Sequence, residues 1–386
     1  MATIPYGRQE VTQQDIEAVV DVLESDFLTQ GPAVPRFEEL VASYCEVNHA
    51  VAVNSATSAL HIACLALGLG PGDWLWTSPV TFVASANCGL YCGAQVDFVD
   101  INPETYNISV TALEERLIQA ERRGCLPKVV IPVHLSGQSC EMQAIFELGR
   151  RYGFAIIEDA SHAIGGKYQG KPIGNCYYSD ITVFSFHPVK IITTGEGGMA
   201  VTNDKVLAQK MELLRSHGVT RDPSLMVQQV DGPWSYQQID LGFNYRMTDI
   251  QAALGISQLE RLDAYIARRH EIATIYNDAL QELPVGIPFQ HSDCYSAFHL
   301  YIVCLRSANQ ESNHLDVFKR LRAEGIGVNL HYIPVHTQPY YKKMGFQNND
   351  FPKAIAYYQK AISLPIYPLL DFEQQQSIIK SLKNIL

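Results

Sequence analysis

VVIPVHLSGQSCEMQAIFELGRRYGFAIIEDASHA, residues 129–163, holds two short apolar runs with a helical pattern between them. The runs VVIPVHL (129–135) and FAIIED (154–159) have the length of buried strands, and in EMQAIFELGRRYG (141–153) apolar residues recur at intervals of three and four. Strand, helix and strand in that order join parallel neighbours, because a parallel connection needs a crossover of a dozen or more residues where an antiparallel one needs only a turn. A sheet built this way is covered by helices on both faces. The second run ends in Asp159, at the strand edge where open parallel sheets place their ligands.

Working outward, similar runs stand at AVAV (50–53), WLWTS (74–78), VDFVD (96–100), TVFSF (182–186) and MAVTN (199–203). SALHIACLALG follows the first as a helix, and TFVASANCGLYCG (81–93) reads as a short crossover helix between the second and third. TVFSF and MAVTN are separated only by a loop containing GEGG, which predicts an antiparallel pair there. From Thr248 the texture changes. DIQAALGISQLERLDAYIARRHEIATIYNDAL (249–280) reads as one long amphipathic helix, followed by strand-like YIVCL (301–305), helix-like HLDVFKRLRAEG (314–325) and a closing helix at 371–386. The expectation is an α/β protein with a mostly parallel seven-stranded sheet in residues 1–247 and a smaller α+β domain in 248–386.

Apolar residues are 47% and charged residues 18% of the 386, an ordinary globular balance. A formal charge of -11 argues against a broad nucleic-acid surface but leaves room for a small anion held by local donors. Nine scattered cysteines and a start without a charged segment before an apolar one point to the reducing cytoplasm. The most apolar window, 50–69, carries Asn54, Ser55, Thr57, Ser58 and His61, which a bilayer tolerates badly, so no membrane span is expected. Cys88 and Cys92 have no second ligand pair near them and read as small buried hydrophobes, with no metal site expected.

Three stretches carry chemistry. In NSATSAL (54–60) small hydroxyl residues follow a strand and open a helix, leaving first-turn N–H groups free to receive a phosphate; read alone, Ser55 or Thr57 could equally cap that helix. Asp159 could cap the turn after its strand, or stand as an ionised carboxylate behind a pyridine nitrogen and keep it protonated. In FSFHPVKIITTGEGGMAV (184–201) Lys190 lies between a strand and a glycine-rich turn. Most lysines are solvated, but one beside apolar or cationic neighbours loses its proton near neutral pH and attacks an aldehyde. GLGPG (68–72) lies between a helix end and the next strand and lacks the spacing of a dinucleotide fingerprint, so no nicotinamide cofactor is expected.

Taken together, these stretches resemble the fold-type-I pyridoxal-phosphate enzymes, and among them the DegT/DnrJ/EryC1/StrS family of nucleotide-sugar aminotransferases. The resemblance runs from IPYGRQEVTQQDIEAV (4–19) and SDFLTQGPAVPRFE (25–38) to HYIPVHTQPYY (331–341) and SLPIYPLL (363–370). Through residues 54–88, 134–142 and 186–198 it is strongest to the branch that serves pseudaminic acid biosynthesis. It implies pyridoxal 5′-phosphate held by Lys190 as a Schiff base, with Lys190 then shuttling a proton, and Asp159 paired with the ring nitrogen. It further implies Phe82 stacked on the ring, and phosphate contacts from Ala56, Thr57 and Ser185, Ala56 standing where glycine is commoner. His162 stands where many relatives carry glutamine, and would be a neutral donor near the ring hydroxyl. Asn244 would reach the cofactor phosphate of the neighbouring subunit in a homodimer. Arg246 would be either an ion-pair partner or a substrate contact, and His331 and Tyr332 would line the sugar-nucleotide entrance. The implied reaction moves the amino group of L-glutamate to C4 of a UDP-linked 4-keto-6-deoxy-N-acetylhexosamine. A dehydratase of the same fold would carry histidine in place of Lys190, and a non-catalytic binding protein would have no need of Lys190, Asp159 and Ser185 together.

Overall fold

The computed structural model describes residues 3–306 and 314–386. Its main sheet has seven strands: β1 (His49–Val53), β2 (Trp74–Thr77), β3 (Gln95–Phe98), β4 (Val129–Ile131), β5 (Ala155–Asp159), β6 (Ile181–Ser185) and β7 (Gly198–Thr202). Across the sheet the order is β1-β7-β6-β5-β4-β2-β3. β7 runs antiparallel to both neighbours and the other pairings are parallel, so the short GEGG link makes the reversal expected of it.

Successive side chains of a strand point to opposite faces, and the two faces are separately apolar. Val51, Val53, Leu75, Val129, Ile131, Ile181 and Val183 face one layer, packed by α3 (Ala56–Ala66), α4 (Ala84–Tyr91) and α7 (Lys205–Arg215). On the other face, Trp76, Val130 and Ile156 meet α5 (Val110–Arg123) and α6 (Met142–Tyr152). α5 buries Leu113, Leu117 and Ala120, one stripe of a helix whose remaining surface is charged. At the far end of that face Ala52, Phe184 and Val201 pack with α2 (Ala33–Cys45).

The stretch 249–280 departs from its sequence reading. It forms two helices, α8 (Asp249–Leu259) and α9 (Leu262–Leu280), with the chain turning at Glu260 and Arg261. No glycine or proline marks the break. Its cause is tertiary: Asp15 of α1 (Gln13–Leu23) is fully buried, and Arg261 Nη2 donates to both its carboxylate oxygens at 2.6 and 2.7 Å. The Ser257 hydroxyl, Gln258 Nε2 and the Thr12 N–H also donate to the carboxylate, at 2.7, 2.9 and 2.8 Å. A charge taken out of water must be paired and hydrogen-bonded, and the turn is what delivers Arg261 to it.

Ala252, Leu262, Tyr265 and Ile266 of these helices pack with the large-sheet layer, whereas Ile272, Ala273, Tyr276 and Leu280 belong to the C-terminal core. α9 therefore ties together the two parts that the sequence divides after residue 247. The C-terminal core is a three-stranded antiparallel sheet in the order β8-β9-β10, from Val285–Gly286 (β8), Tyr301–Leu305 (β9) and Ala361–Leu364 (β10). It is covered by α10 (His314–Ala323) and α11 (Phe372–Ile385). Ahead of all this, Ile4–Pro5 pairs in parallel with Ile326–Gly327, which brings Tyr6 to the mouth of the large sheet.

Candidate active site

A cavity of about 1060 Å³ opens at the carboxyl edge of the large sheet, between it and the C-terminal part. Residues following β1, β2 and β4 line it, as do the last residues of β5 and β6 and the segment Asn329–Tyr332.

Asp159 ends β5 and is buried. Its carboxylate oxygens are held separately: the Ser85 hydroxyl donates to Oδ2 at 2.6 Å, and the Ser161 N–H to Oδ1 at 3.1 Å. Lys190 is carried on the loop after β6. That loop closes on itself, with the Thr194 N–H and the Thr193 hydroxyl both donating to Phe186 O at 3.0 and 2.9 Å, while Ile191 and Ile192 plug into the core beside it. Burial pushes the Lys190 ammonium down to about 8, against the opposing pull of the Asp159 carboxylate.

α3 begins at the end of β1. Ser55 caps it, accepting from the Ser58 N–H at 3.1 Å, which leaves the Ala56 and Thr57 N–H groups without a hydrogen bond among the described residues. The Ser185 hydroxyl, at the end of β6, is likewise without a partner among the described residues and lines the same cavity. The close seating of this turn depends on Gly198: a Cβ there would lie 2.5 Å from Ala56 N and from the Ser55 carbonyl. β7 thus runs directly under the helix start because it opens with a residue that has no side chain.

Four histidines border the cavity, His187 exposed and the other three buried. His162 accepts the Ser136 N–H on Nδ1 at 3.3 Å, so its neutral ring carries the proton on Nε2, 3.0 Å from the Tyr332 hydroxyl. Burial, and then the Lys190 and His331 charges, hold His162 well below the usual imidazole range. Burial does the same to His299, whose Nδ1 has no partner among the described residues, and takes His331 to about 3 with help from the Lys190 charge. Behind His299 lies the buried Arg269, donating from Nη1 to the carbonyls of Phe298, His299 and Ile366 at 3.1, 3.2 and 3.0 Å. Burial and the Asp159 charge raise the Tyr332 hydroxyl above its ordinary value, so it stays protonated. Phe82 projects into the cavity mouth, 59% exposed, its ring centre 6.4 Å from that of Tyr332.

The sequence profile of the DegT/DnrJ/EryC1/StrS aminotransferase family matches residues 9–383. The chain belongs to the DegT/DnrJ/EryC1/StrS aminotransferase family. It is 39% identical over 385 residues to the spore coat polysaccharide biosynthesis protein SpsC of Bacillus subtilis, covering 99% of this chain and 97% of that one. To the UDP-4-amino-4,6-dideoxy-N-acetyl-beta-L-altrosamine transaminase of Campylobacter jejuni it is 37% identical over 388 residues, with the same coverage of both. Spr1654 of Streptococcus pneumoniae, solved in its PLP form, superposes with a TM-score of 0.89 at 30% identity, over 99% of this chain and 98% of that one. The protein is accordingly a sugar aminotransferase whose cofactor is pyridoxal phosphate.

The DegT-family cavity fits that cofactor on its own terms. A phosphate finds two unspent backbone donors at the positive end of a helix and a free hydroxyl beside them. A ring nitrogen finds a buried carboxylate, and an aldehyde finds an amine that burial has brought close to neutrality. Among the residues that the sequence singled out, Ala56, Thr57, Phe82, Asp159, His162, Ser185, Lys190, His331 and Tyr332 line this one cavity. Asn244 and Arg246 do not. Asn244 is exposed, its carbonyl accepting from Asn54 Nδ2 at 3.4 Å. For Arg246 the ion pair left open by the sequence is not formed among the described residues; its Nη1 lies 3.4 Å from the Ser216 hydroxyl. Its backbone bridges Val53 at the end of β1, and its guanidinium reaches the residue that follows α7. Sequence reading missed Tyr6, Ser85, Ser161, His299 and Asn329. Ser85 and Ser161 had a signal, standing within three residues of Phe82 and Asp159 in the sequence, whereas Tyr6, His299 and Asn329 arrive from distant segments that carry no local mark.

Proposed function

We propose that the protein transfers the amino group of L-glutamate to C4 of a UDP-linked 4-keto-6-deoxy-N-acetylhexosamine, forming the UDP-4-amino-4,6-dideoxy-N-acetyl-beta-L-altrosamine of the pseudaminic acid route. The observation that carries the chemistry is the convergence of Lys190 and Asp159 on one cavity beneath the unspent N–H groups of α3. The similarity to the Campylobacter jejuni transaminase over almost the full length supports the acceptor. In this reading Lys190 binds the cofactor covalently, Asp159 faces its ring nitrogen, and Ala56 N, Thr57 and Ser185 hold its phosphate. His162 offers its Nε2 proton to the ring hydroxyl, and Phe82 covers the ring. Bound there, pyridoxal phosphate supplies an electron-withdrawing ring that stabilises negative charge at the carbon losing its proton. Lys190 Nζ, once free, takes the Cα proton of the amino donor and returns a proton later, a role that needs an amine able to exist in both states near neutral pH. His331 and Tyr332 form the wall past which the sugar nucleotide would enter.

A homodimer belongs to the same proposal. Asn244 is exposed and does not line its own cavity, and nearby Leu241, Trp234, Tyr236 and Val227 are large apolar side chains left in solvent. Nine free cysteines suit a reducing cytoplasm, and among the described residues no helix is long and apolar enough to cross a membrane.

The test is to incubate the enzyme with L-glutamate and a panel of nucleotide-linked 4-keto-6-deoxy hexoses, reading 2-oxoglutarate release and C4 stereochemistry by NMR. The expected result is stoichiometric 2-oxoglutarate and amine with the UDP-N-acetylhexosamine acceptor. Preference for another sugar or another nucleotide, which similarity of the same degree to SpsC leaves room for, would overturn the acceptor. No 2-oxoglutarate with any acceptor would overturn the donor.

A further inference from the structure

We propose that Ser85, ordered by Thr81, is a positioning residue that fixes the Asp159 carboxylate and through it sets the protonation of the bound cofactor. The proposal rests on the reading above in which Asp159 faces the ring nitrogen. Thr81, Ser85 and Asp159 are all buried, at 3%, 0% and 5% exposure, and their oxygens form a chain. The Ser85 hydroxyl lies 2.6 Å from Asp159 Oδ2 and 2.7 Å from Thr81 Oγ1.

A serine hydroxyl has one proton to give. A carboxylate only accepts, so that proton goes to Asp159, and a 3.4 Å approach to the Phe82 carbonyl is too long to compete. Ser85 must then accept from Thr81, whose hydroxyl makes no other hydrogen bond among the described residues. The direction of the chain is thereby fixed: Thr81 to Ser85 to Asp159. Bonds to an ionised acceptor in a buried setting are short and strong, and a donor that feeds such a bond polarises it further. With the Ser161 N–H holding the other oxygen, the carboxylate has no freedom to rotate.

Sequence and geometry meet where the chain enters α4. Thr81 and Phe82 precede the helix, whose N-cap is Val83, and the turn closed by the Ser85 N–H on the Phe82 carbonyl at 3.3 Å folds Thr81 back against Ser85 while Phe82 borders the cavity. The entry to one helix thus supplies both the aromatic cover and the support for the carboxylate. A bare Asp159 would be free to turn away from the ring nitrogen or to share its proton unequally, and Ser85 opposes both.

The experiment compares the wild type with S85A, S85T, T81V and D159N, all purified as apo protein and reloaded with pyridoxal phosphate. Three quantities are read: the dissociation constant for the cofactor, the pH midpoint of the bound cofactor's visible absorption, and the melting temperature of the apo protein. Expected is a roughly tenfold loss of cofactor affinity in S85A, the scale of one hydrogen bond to a charged group. Its absorption midpoint should move in the same direction as in D159N but by less. S85T should restore both, and T81V, which keeps the Ser85 proton on Asp159 but removes the donor behind it, should fall between. An S85A protein with affinity within about twofold of wild type and an unmoved midpoint, while D159N changes both, would overturn the relay alone. Changes in S85A and S85T that track melting temperature with no shift of midpoint would also overturn it. If D159N itself leaves affinity and midpoint unchanged, the placement of Asp159 against the ring fails, and the relay with it.

Discussion

Lys190 illustrates how much a single side chain depends on its surroundings. Its ammonium is brought to about 8 by burial, so near that pH half the apo protein holds the free amine that attacks an aldehyde. The rate of cofactor uptake by the apo protein should therefore climb roughly tenfold per pH unit below 8 and level off above it; a flat profile from pH 6 to 9 by stopped-flow absorbance would contradict this. Lys190→Ala should lose the visible band of the bound cofactor and amine transfer together. The histidines bear on stability. Their folded pKa values lie below the unfolded value near 6.5, so folding releases protons and the folded state is disfavoured as pH falls. For His331, held at about 3, the loss between pH 6.5 and 5 is about 2 kcal/mol. Urea melts of the apo protein at pH 7 and pH 5 should show the decline, and it should shrink in His331→Asn.

At the scale of elements, two junctions decide where the site residues stand. The first is the crossing of β7 under α3. Gly198→Ala would put a methyl group 2.5 Å from Ala56 N, forcing strand and helix apart. A loss of about 2–4 kcal/mol is expected by chemical denaturation, with cofactor affinity falling further than in a variant of equal stability altered elsewhere. The second is the turn between α8 and α9. Arg261→Leu leaves Asp15 buried without its cation and should cost about 3–5 kcal/mol, whereas the double change with Asp15→Leu should recover most of it, because burying neither charge removes the desolvation cost of both. Equal losses in the single and double variants would show that the turn is set by something other than this pair. Neither junction could be read from periodicity. The glycine-rich turn at GEGG was visible, but not that its last glycine lies under α3, and an uninterrupted amphipathic pattern concealed the break at 260–261 entirely.

At the scale of the whole molecule, the cavity lies where the large sheet's carboxyl edge faces the C-terminal part, and Asn244 and Arg246 sit outside it. If Asn244 serves the partner's site, two inactive chains should complement each other. Mixing Lys190→Ala with Asn244→Asp through partial unfolding and refolding gives mixed dimers with one intact site. About a quarter of wild-type activity should return, since half the dimers are mixed and each has one working site of two. No recovery, with mixed dimers confirmed by mass, would place Asn244 in its own subunit's chemistry.

What the sequence determined by itself is the part governed by short-range pattern. Run length and helical spacing placed β4, α6 and β5 in order, the short link reversed β7, and the residues that end strands, Asp159 and Ser185, or follow one closely, Lys190, fell at a single edge because a parallel sheet brings all its carboxyl ends to one side. Only the tertiary structure decided the rest. Tyr6, His299 and Asn329 reach the cavity from segments hundreds of residues apart in some cases, and the Ser85 bond to Asp159 spans 74 positions. Such contacts arise from packing between layers, where burial of a charge or a hydroxyl demands a partner from whichever segment lies nearest in space, and local periodicity holds no record of that distance.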